Sequence, residues 1–187
     1  MAQRRHHYEA AFEEYLRANQ LPYLAVNEAK RALLPEGARS KLQTVDGGDE
    51  VGIKNFDFLV TDQDRHLIID VKGRKIPRRK KATARGGRLE SWVTRDDLAS
   101  LAVWEELLGE GYAAWFVFMY LCEDQPADGL FQEVFSHSGS WYALRSIDAR
   151  TYSKHMTVRS TRWRTVHLST EAYERLSVPF FRPAAAS

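Results

Sequence analysis

Asp57, Asp70 and Lys72 are the residues of this sequence whose types and spacing could do chemistry together. Asp57 stands in the apolar run Phe56-Asp57-Phe58-Leu59-Val60; Asp70 and Lys72 stand in Ile68-Ile69-Asp70-Val71-Lys72-Gly73, with twelve residues between the two acids. Strand side chains alternate between faces, so Asp70 and Lys72 share one face while Leu67, Ile69 and Val71 take the other. The same alternation sets Asn55, Asp57 and Leu59 against Phe56, Phe58 and Val60. Thr61-Asp62-Gln63-Asp64-Arg65 fits a hairpin connection between the two runs. Pairing through it brings Asp57 to the end of the ladder that holds Asp70 and Lys72. Two carboxylates and an ammonium set among buried strands are costly unless a cation or substrate compensates them. A hard divalent ion, Mg²⁺ with Mn²⁺ able to substitute, is held by one or two carboxylates together with phosphate oxygens. Bound there it polarises a phosphodiester and acidifies an attacking water. Lys72 would orient or activate that water, or stabilise the charge of the transition state. The competing readings are a carboxylate capping backbone amides for Asp57 and an exposed (i, i+2) ion pair for Asp70 and Lys72.

These residues need elements to position them. Apolar residues at 8, 11, 12, 15 and 16 form one helical stripe, which predicts an amphipathic opening helix carrying Glu9 and Glu13 on a common face. Strands are expected at 23–26, 53–60 and 66–71, and a helical turn at 28–34. The stretch 73–91 reads as a loop. Thr94-Arg95-Asp96-Asp97 opens a helix to about Leu108, with Thr94 as its cap and Gly109 as its stop. The unbroken apolar run from Ala113 to Leu121 predicts a strand covered on both faces, in the middle of a sheet. Strands near 131–135, 141–144 and 165–168 and helices near 148–155 and 170–176 complete the chain. This order implies an α/β fold with a mixed central β-sheet flanked by helices.

Nine lysines and arginines and no acid fall within residues 72–88, so the rest of the chain carries −7 against a total of +2. An acidic body with one concentrated basic segment suits local attraction to a polyanion. Arg74, Lys75, Arg78, Arg79, Lys80, Lys81, Arg85 and Arg88 are the candidate nucleic-acid contacts, set where the chain leaves the expected strand of Lys72; phosphate contacts position a substrate without reading its sequence. Read alone, such a run is as readily a solvated loop. Trp92 is a candidate for base stacking. Arg159, Arg162 and Arg164 around Trp163 form a second basic cluster, either a solvated strand edge or a further phosphate contact. The length of 187 residues fits one domain. A single cysteine, Cys122, and no apolar run long enough to span a bilayer suit a cytoplasmic protein that is not inserted in a membrane.

Phe-Asp57-Phe followed by Ile-Ile-Asp70-Val-Lys72-Gly, behind an acid-bearing helix, resembles the PD-(D/E)XK nuclease superfamily. That superfamily includes many restriction enzymes and archaeal Holliday-junction resolvases. The resemblance covers residues 6–75 in detail and 95–121 in outline, and no proline precedes Asp57. It implies a restriction-endonuclease-like fold with a nuclease core at about 6–121 and a C-terminal elaboration at 122–187. It further implies a Mg²⁺-dependent nuclease acting on nucleic acid, with DNA as the expected substrate and structure-selective or weakly sequence-specific cutting, and leaves room for a homodimer. Asp57, Asp70 and a helix acid, Glu9 with Glu13 as its competitor, would be the metal ligands. The alternative is a nucleic-acid-binding module of the same fold without turnover.

Overall fold

The computed structural model describes residues 3–26, 54–62, 65–76, 89–123 and 133–180. Helix α1 (Gln3–Ala18) leads to strands β1 (Tyr23–Ala25), β2 (Phe58–Asp62), β3 (Arg65–Ile76) and β4 (Val93–Thr94). Helix α2 (Arg95–Leu108) is followed by β5 (Tyr112–Cys122), β6 (Glu133–His137), β7 (Ser140–Asp148), α3 (Ala149–His155), β8 (Thr157–Ser160), β9 (Thr165–His167) and α4 (Thr170–Leu176). Six strands form one sheet in the order β1-β2-β3-β5-β7-β6, and β4-β9-β8 form a second. The large sheet is mixed: β3 and β5 run parallel and the other neighbours antiparallel.

Alternation along the central strands explains the layering. Leu67, Ile69, Val117 and Met119 face α1, which contributes Ala11, Phe12, Tyr15 and Leu16. Ile68, Phe116, Phe118 and Tyr120 face the other way, where Leu101 and Trp104 of α2, Tyr152 of α3 and Tyr173 of α4 cover them. β5 is therefore apolar on both faces, as its composition predicts. Phe12 and Leu16 are fully buried, and each contributes about 1.5–3 kcal/mol of transfer free energy. The α/β class with a mixed, helix-flanked sheet is the one expected.

Several boundaries differ for physical reasons. β3 extends past Val71 to Ile76 because β5 offers it a parallel partner all the way to Cys122, so Arg74 and Lys75 belong to a strand and not to a loop. Strand β2 begins at Phe58, and the chain bends at Asp57. Phe56 consequently joins the cluster beneath α2 while Phe58 joins the one beneath α1, which breaks the regular alternation expected across 53–60. The boundary drawn at 121 cuts through a common core: β7 lies in the large sheet, and Tyr152, Val166 and Tyr173 pack with Phe116 and Phe118. Strand β8 was not expected. Arg78, Arg79, Lys80, Lys81, Arg85, Arg88 and the helical turn at 28–34 lie outside the described residues.

Gly73 is where α1 seats on the sheet. A Cβ there would collide with the ring of Tyr8, which is fixed by donating its hydroxyl to the Arg74 carbonyl at 2.9 Å. The close approach that glycine permits is to the protein's own first helix. Gly73→Ala is expected to destabilise the fold by about 1–3 kcal/mol through overpacking, and Tyr8→Ala in the same chain to recover part of that loss. Thermal unfolding of the two single variants and the double variant checks this; additive losses would contradict it.

Candidate active site

The β2–β3 register pairs Phe58 with Ile69, and the ladder continues one step further because the Asp57 amide donates to the Ile69 carbonyl at 2.8 Å. Asp57 thus arrives opposite Asp70. The bend at Asp57 turns its carboxylate along β3, where Oδ2 accepts the Val71 amide at 2.7 Å. The amide-capping role weighed for this residue is real, and it also fixes the carboxylate beside Asp70. Burial first, then Asp70 and more weakly Glu9, push the Asp57 carboxyl up to about 8, against the pull of the Val71 amide and Lys72.

Asp70 and Lys72 project from β3 towards α2. Lys72 Nζ lies 2.7 Å from Asp70 Oδ2 and 3.2 Å from Asp97 Oδ2. The Lys72 and Asp70 side chains are only 16% and 12% exposed, which rules out the exposed ion pair of the alternative reading. Burial by itself would favour neutral Lys72, but Asp70 and Asp97 outweigh it and raise its pKa, so the ammonium stays charged. Burial raises the Asp70 carboxyl, with Lys72 opposing and Asp97 reinforcing the shift.

Asp97 is the member of this buried cluster that sequence reasoning missed. It is the third residue of α2, and its local role is complete in itself: Thr94 Oγ1 accepts the Asp97 amide at 3.1 Å while Asp97 Oδ2 accepts the Thr94 amide at 2.8 Å, a reciprocal capping box. The same carboxylate also reaches Lys54 Nζ at 2.8 Å. Against the cost of burial, Lys72, Lys54 and the Thr94 amide hold the Asp97 carboxyl well below the usual range. Lys54 was missed too, since it precedes β2 in irregular chain. Its backbone is pinned on α2, its amide to Ser100 Oγ at 3.0 Å and its carbonyl to Trp104 Nε1 at 2.9 Å. The available signal was the acid pair Asp96-Asp97 in the first turn after the Thr94 cap.

The remaining candidates separate. Glu9 acts on Asp57 electrostatically, from a helix on the opposite side of the sheet to α2. Glu13 is drawn away by the Tyr23 hydroxyl at 2.8 Å and Arg17 at 2.7 Å, so it is not part of the cluster. Arg74 is buried and turned inwards: its guanidinium stacks 4.0 Å from the Trp92 ring centroid and donates to the carbonyls of Gly73 and Trp92. It cements β3 to the segment before β4 and is turned away from solvent; alternation places residues 70, 72 and 74 on the same covered face. Lys75 is exposed and pairs with Glu123 at 3.1 Å. Trp92 already carries Arg74 and, at 5.2 Å, Arg159.

Among the described residues, no three His, Cys, Asp or Glu side chains gather closely enough to form a metal cage by themselves. The triad of Asp57, Asp70 and Glu9 is therefore not assembled as a ligand set. The donor chemistry still suits a hard divalent ion. Asp57 and Asp70 stand opposite one another on the β2–β3 ladder, burial raises the proton affinity of both, and two carboxylates completed by water and phosphate oxygens are a common Mg²⁺ arrangement.

No protein-family model matches the chain, and no curated protein matches it. Among solved structures the chain is similar to that of Archaeoglobus fulgidus Hjc, a Holliday junction resolvase from an archaeal hyperthermophile. The identity is 10% and the TM-score 0.47, over 91% of this chain and 92% of that one.

Because the folded Asp57 carboxyl keeps its proton up to about 8 while its ordinary value is 3.8, the native state binds a proton that the unfolded chain has released throughout that window. Stability in chelator is therefore expected to fall as pH rises from about 4 to about 8. Asp57→Asn should flatten much of that fall, and added Mg²⁺ should oppose it in the wild type. Thermal midpoints measured against pH check this; parallel profiles for wild type and variant would contradict it.

Proposed function

We propose that this protein is a divalent-metal-dependent nuclease that hydrolyses phosphodiester bonds in DNA. The observation that carries the reading is the juxtaposition of Asp57 and Asp70 across β2–β3, with the charged Lys72 bound to Asp70 at 2.7 Å. The acids sit beside a cation that is kept protonated, the combination needed to hold a metal and also stabilise a phosphorane-like transition state. Asp57 and Asp70 would hold the ion, which when bound supplies charge neutralisation at the scissile phosphate and a more acidic attacking water.

The roles of the protein's own groups follow from their partners. Lys72 is held in its ammonium form by Asp70 and Asp97, so it serves as a fixed positive charge and hydrogen-bond donor for a phosphate oxygen, not as the general base. Asp97 is a positioning residue that aims Lys72 from the other side. Glu9 tunes Asp57. The basic residues Lys75, Arg78, Arg79, Lys80, Lys81, Arg85 and Arg88 supply sequence-independent phosphate contacts, which suits structure-selective or weakly specific cutting. No described helix is long and apolar enough to cross a membrane.

With Mg²⁺ or Mn²⁺, the wild type is expected to cut at least one member of a panel of linear, branched and single-stranded DNA and RNA, and chelator should stop the cutting. Asp70→Ala and Lys72→Ala should each lower the rate by about 100-fold or more, and Asp97→Asn by a smaller factor, with circular dichroism unchanged. Metal-dependent cleavage that survives in Asp70→Ala would refute the assignment. Salt-sensitive binding without cleavage would instead establish the non-catalytic module.

A further inference from the structure

The β8–β9 hairpin carries groups that the site does not use. Its tip, residues 161–164, is exposed throughout, and Trp163 is 68% exposed, more than any other large hydrophobic side chain among the described residues. Arg162 lies over the Trp163 ring at 5.3 Å and makes no ion pair among the described residues. Arg159 sits at a bulge, where the β8–β9 register shifts between Val158 and Ser160.

This tip is built and tethered. Arg164 adopts the left-handed region at φ 48°, a conformation costly for a side-chain-bearing residue and maintained only by surrounding contacts. Its amide donates to the Thr161 carbonyl at 3.2 Å, and the Trp163 amide donates to Ser160 Oγ at 3.3 Å. The Arg164 carbonyl accepts the Arg95 amide at 2.9 Å, and its guanidinium pairs with Asp96 at 3.1 Å. Thr165 pairs with Thr94, the cap of α2, three residues before the Asp97 that holds Lys72. The indole is therefore mounted on the same helix start that forms one wall of the acidic site.

We propose that this hairpin is a base-stacking element, in which Trp163 stacks on an unpaired nucleobase of a strand lying across the site and Arg162 takes an adjacent phosphate. An exposed indole with the Arg162 guanidinium against its ring matches the two chemistries of a nucleic-acid strand, its π-faces and its phosphates. The proposal rests on the nucleic-acid reading of the site and narrows it to substrates with unpaired bases next to the cut.

The test uses the full chain in chelator, which separates binding from cleavage, and DNA carrying 2-aminopurine either in a single-stranded overhang or inside a blunt duplex. Wild type is expected to change the overhang probe's fluorescence. Trp163→Ala should bind the overhang about 10-fold or more weakly, Trp163→Phe should recover most of that affinity, and binding to the blunt duplex should hardly move. Unchanged thermal unfolding would show that the loss is one of contact. Equal overhang binding by wild type and Trp163→Ala, or equal losses on both DNAs, would overturn the proposal. So would Trp163-dependent binding to anionic phospholipid vesicles with nucleic-acid affinity unaffected. A parallel cleavage assay with Mg²⁺ keeps the two ideas apart: cutting by a protein whose overhang binding ignores Trp163 sinks the stacking element alone, whereas Trp163-dependent binding without cutting sinks the nuclease alone.

Discussion

The Lys72 ammonium, held between Asp70 on its own strand and Asp97 on a helix, is the interaction around which the site is organised. Stranding either partner would leave an uncompensated buried charge, which costs several kcal/mol. The strand and the helix start are therefore coupled, and any element that fixes one of them also fixes the cluster. Even so, the acids outnumber the lysines: Asp57, Asp70, Asp97 and Glu9 stand against Lys54 and Lys72. Burial first, and the neighbouring carboxylates after it, raise the proton affinity of Asp57 and Asp70, a tension that a cationic ligand would relieve.

Much of the surrounding structure serves to hold the start of α2 in place. Arg74 reaches from β3 to the Trp92 carbonyl. Tyr120 of β5 donates to the Glu90 carbonyl at 3.1 Å, and the Tyr152 hydroxyl of α3 lies 2.6 Å from the Ser91 carbonyl. Ser91 Oγ accepts the Leu168 amide at 3.3 Å. Residues 89–92 are thus clamped from several elements just before β4, and the small β4–β9–β8 sheet continues the clamp to Thr94. The C-terminal third is in this sense a brace for the start of α2 and more than an appendage to a finished core. Parallel pairing of β3 with β5 makes the brace possible, because it carries β3 far enough for Arg74 to fall on the α2 side.

The legible and the illegible residues differ in the range of their interactions. Asp57, Asp70 and Lys72 could be read because each is a charged exception in an apolar strand and period-two alternation is a local rule. The limits of α2 were readable from its cap and its stop. Asp97 was hidden because the capping box explains it fully at short range, and nothing nearby reveals that Lys72, twenty-five residues earlier, takes its other lone pairs. Arg74 was misassigned because it was counted with a basic run, although alternation from Asp70 already placed it on the buried face. Glu13 matched Glu9 in helical phase, and only the position of Tyr23 and Arg17 separates them.

By itself, then, the sequence determined the amphipathic first helix, the doubly apolar central strand, the acid–acid–lysine arrangement on a hairpin and the concentration of positive charge after it. These follow from periodicity, propensity and charge, which act over a few residues. Tertiary structure alone decided which helix carboxylate joins the site, which arginine is a girder and which tryptophan is presented to solvent. Those outcomes depend on contacts between β3, β5, α2 and the C-terminal strands, segments far apart in the chain, whose meeting is set by the packing of whole layers.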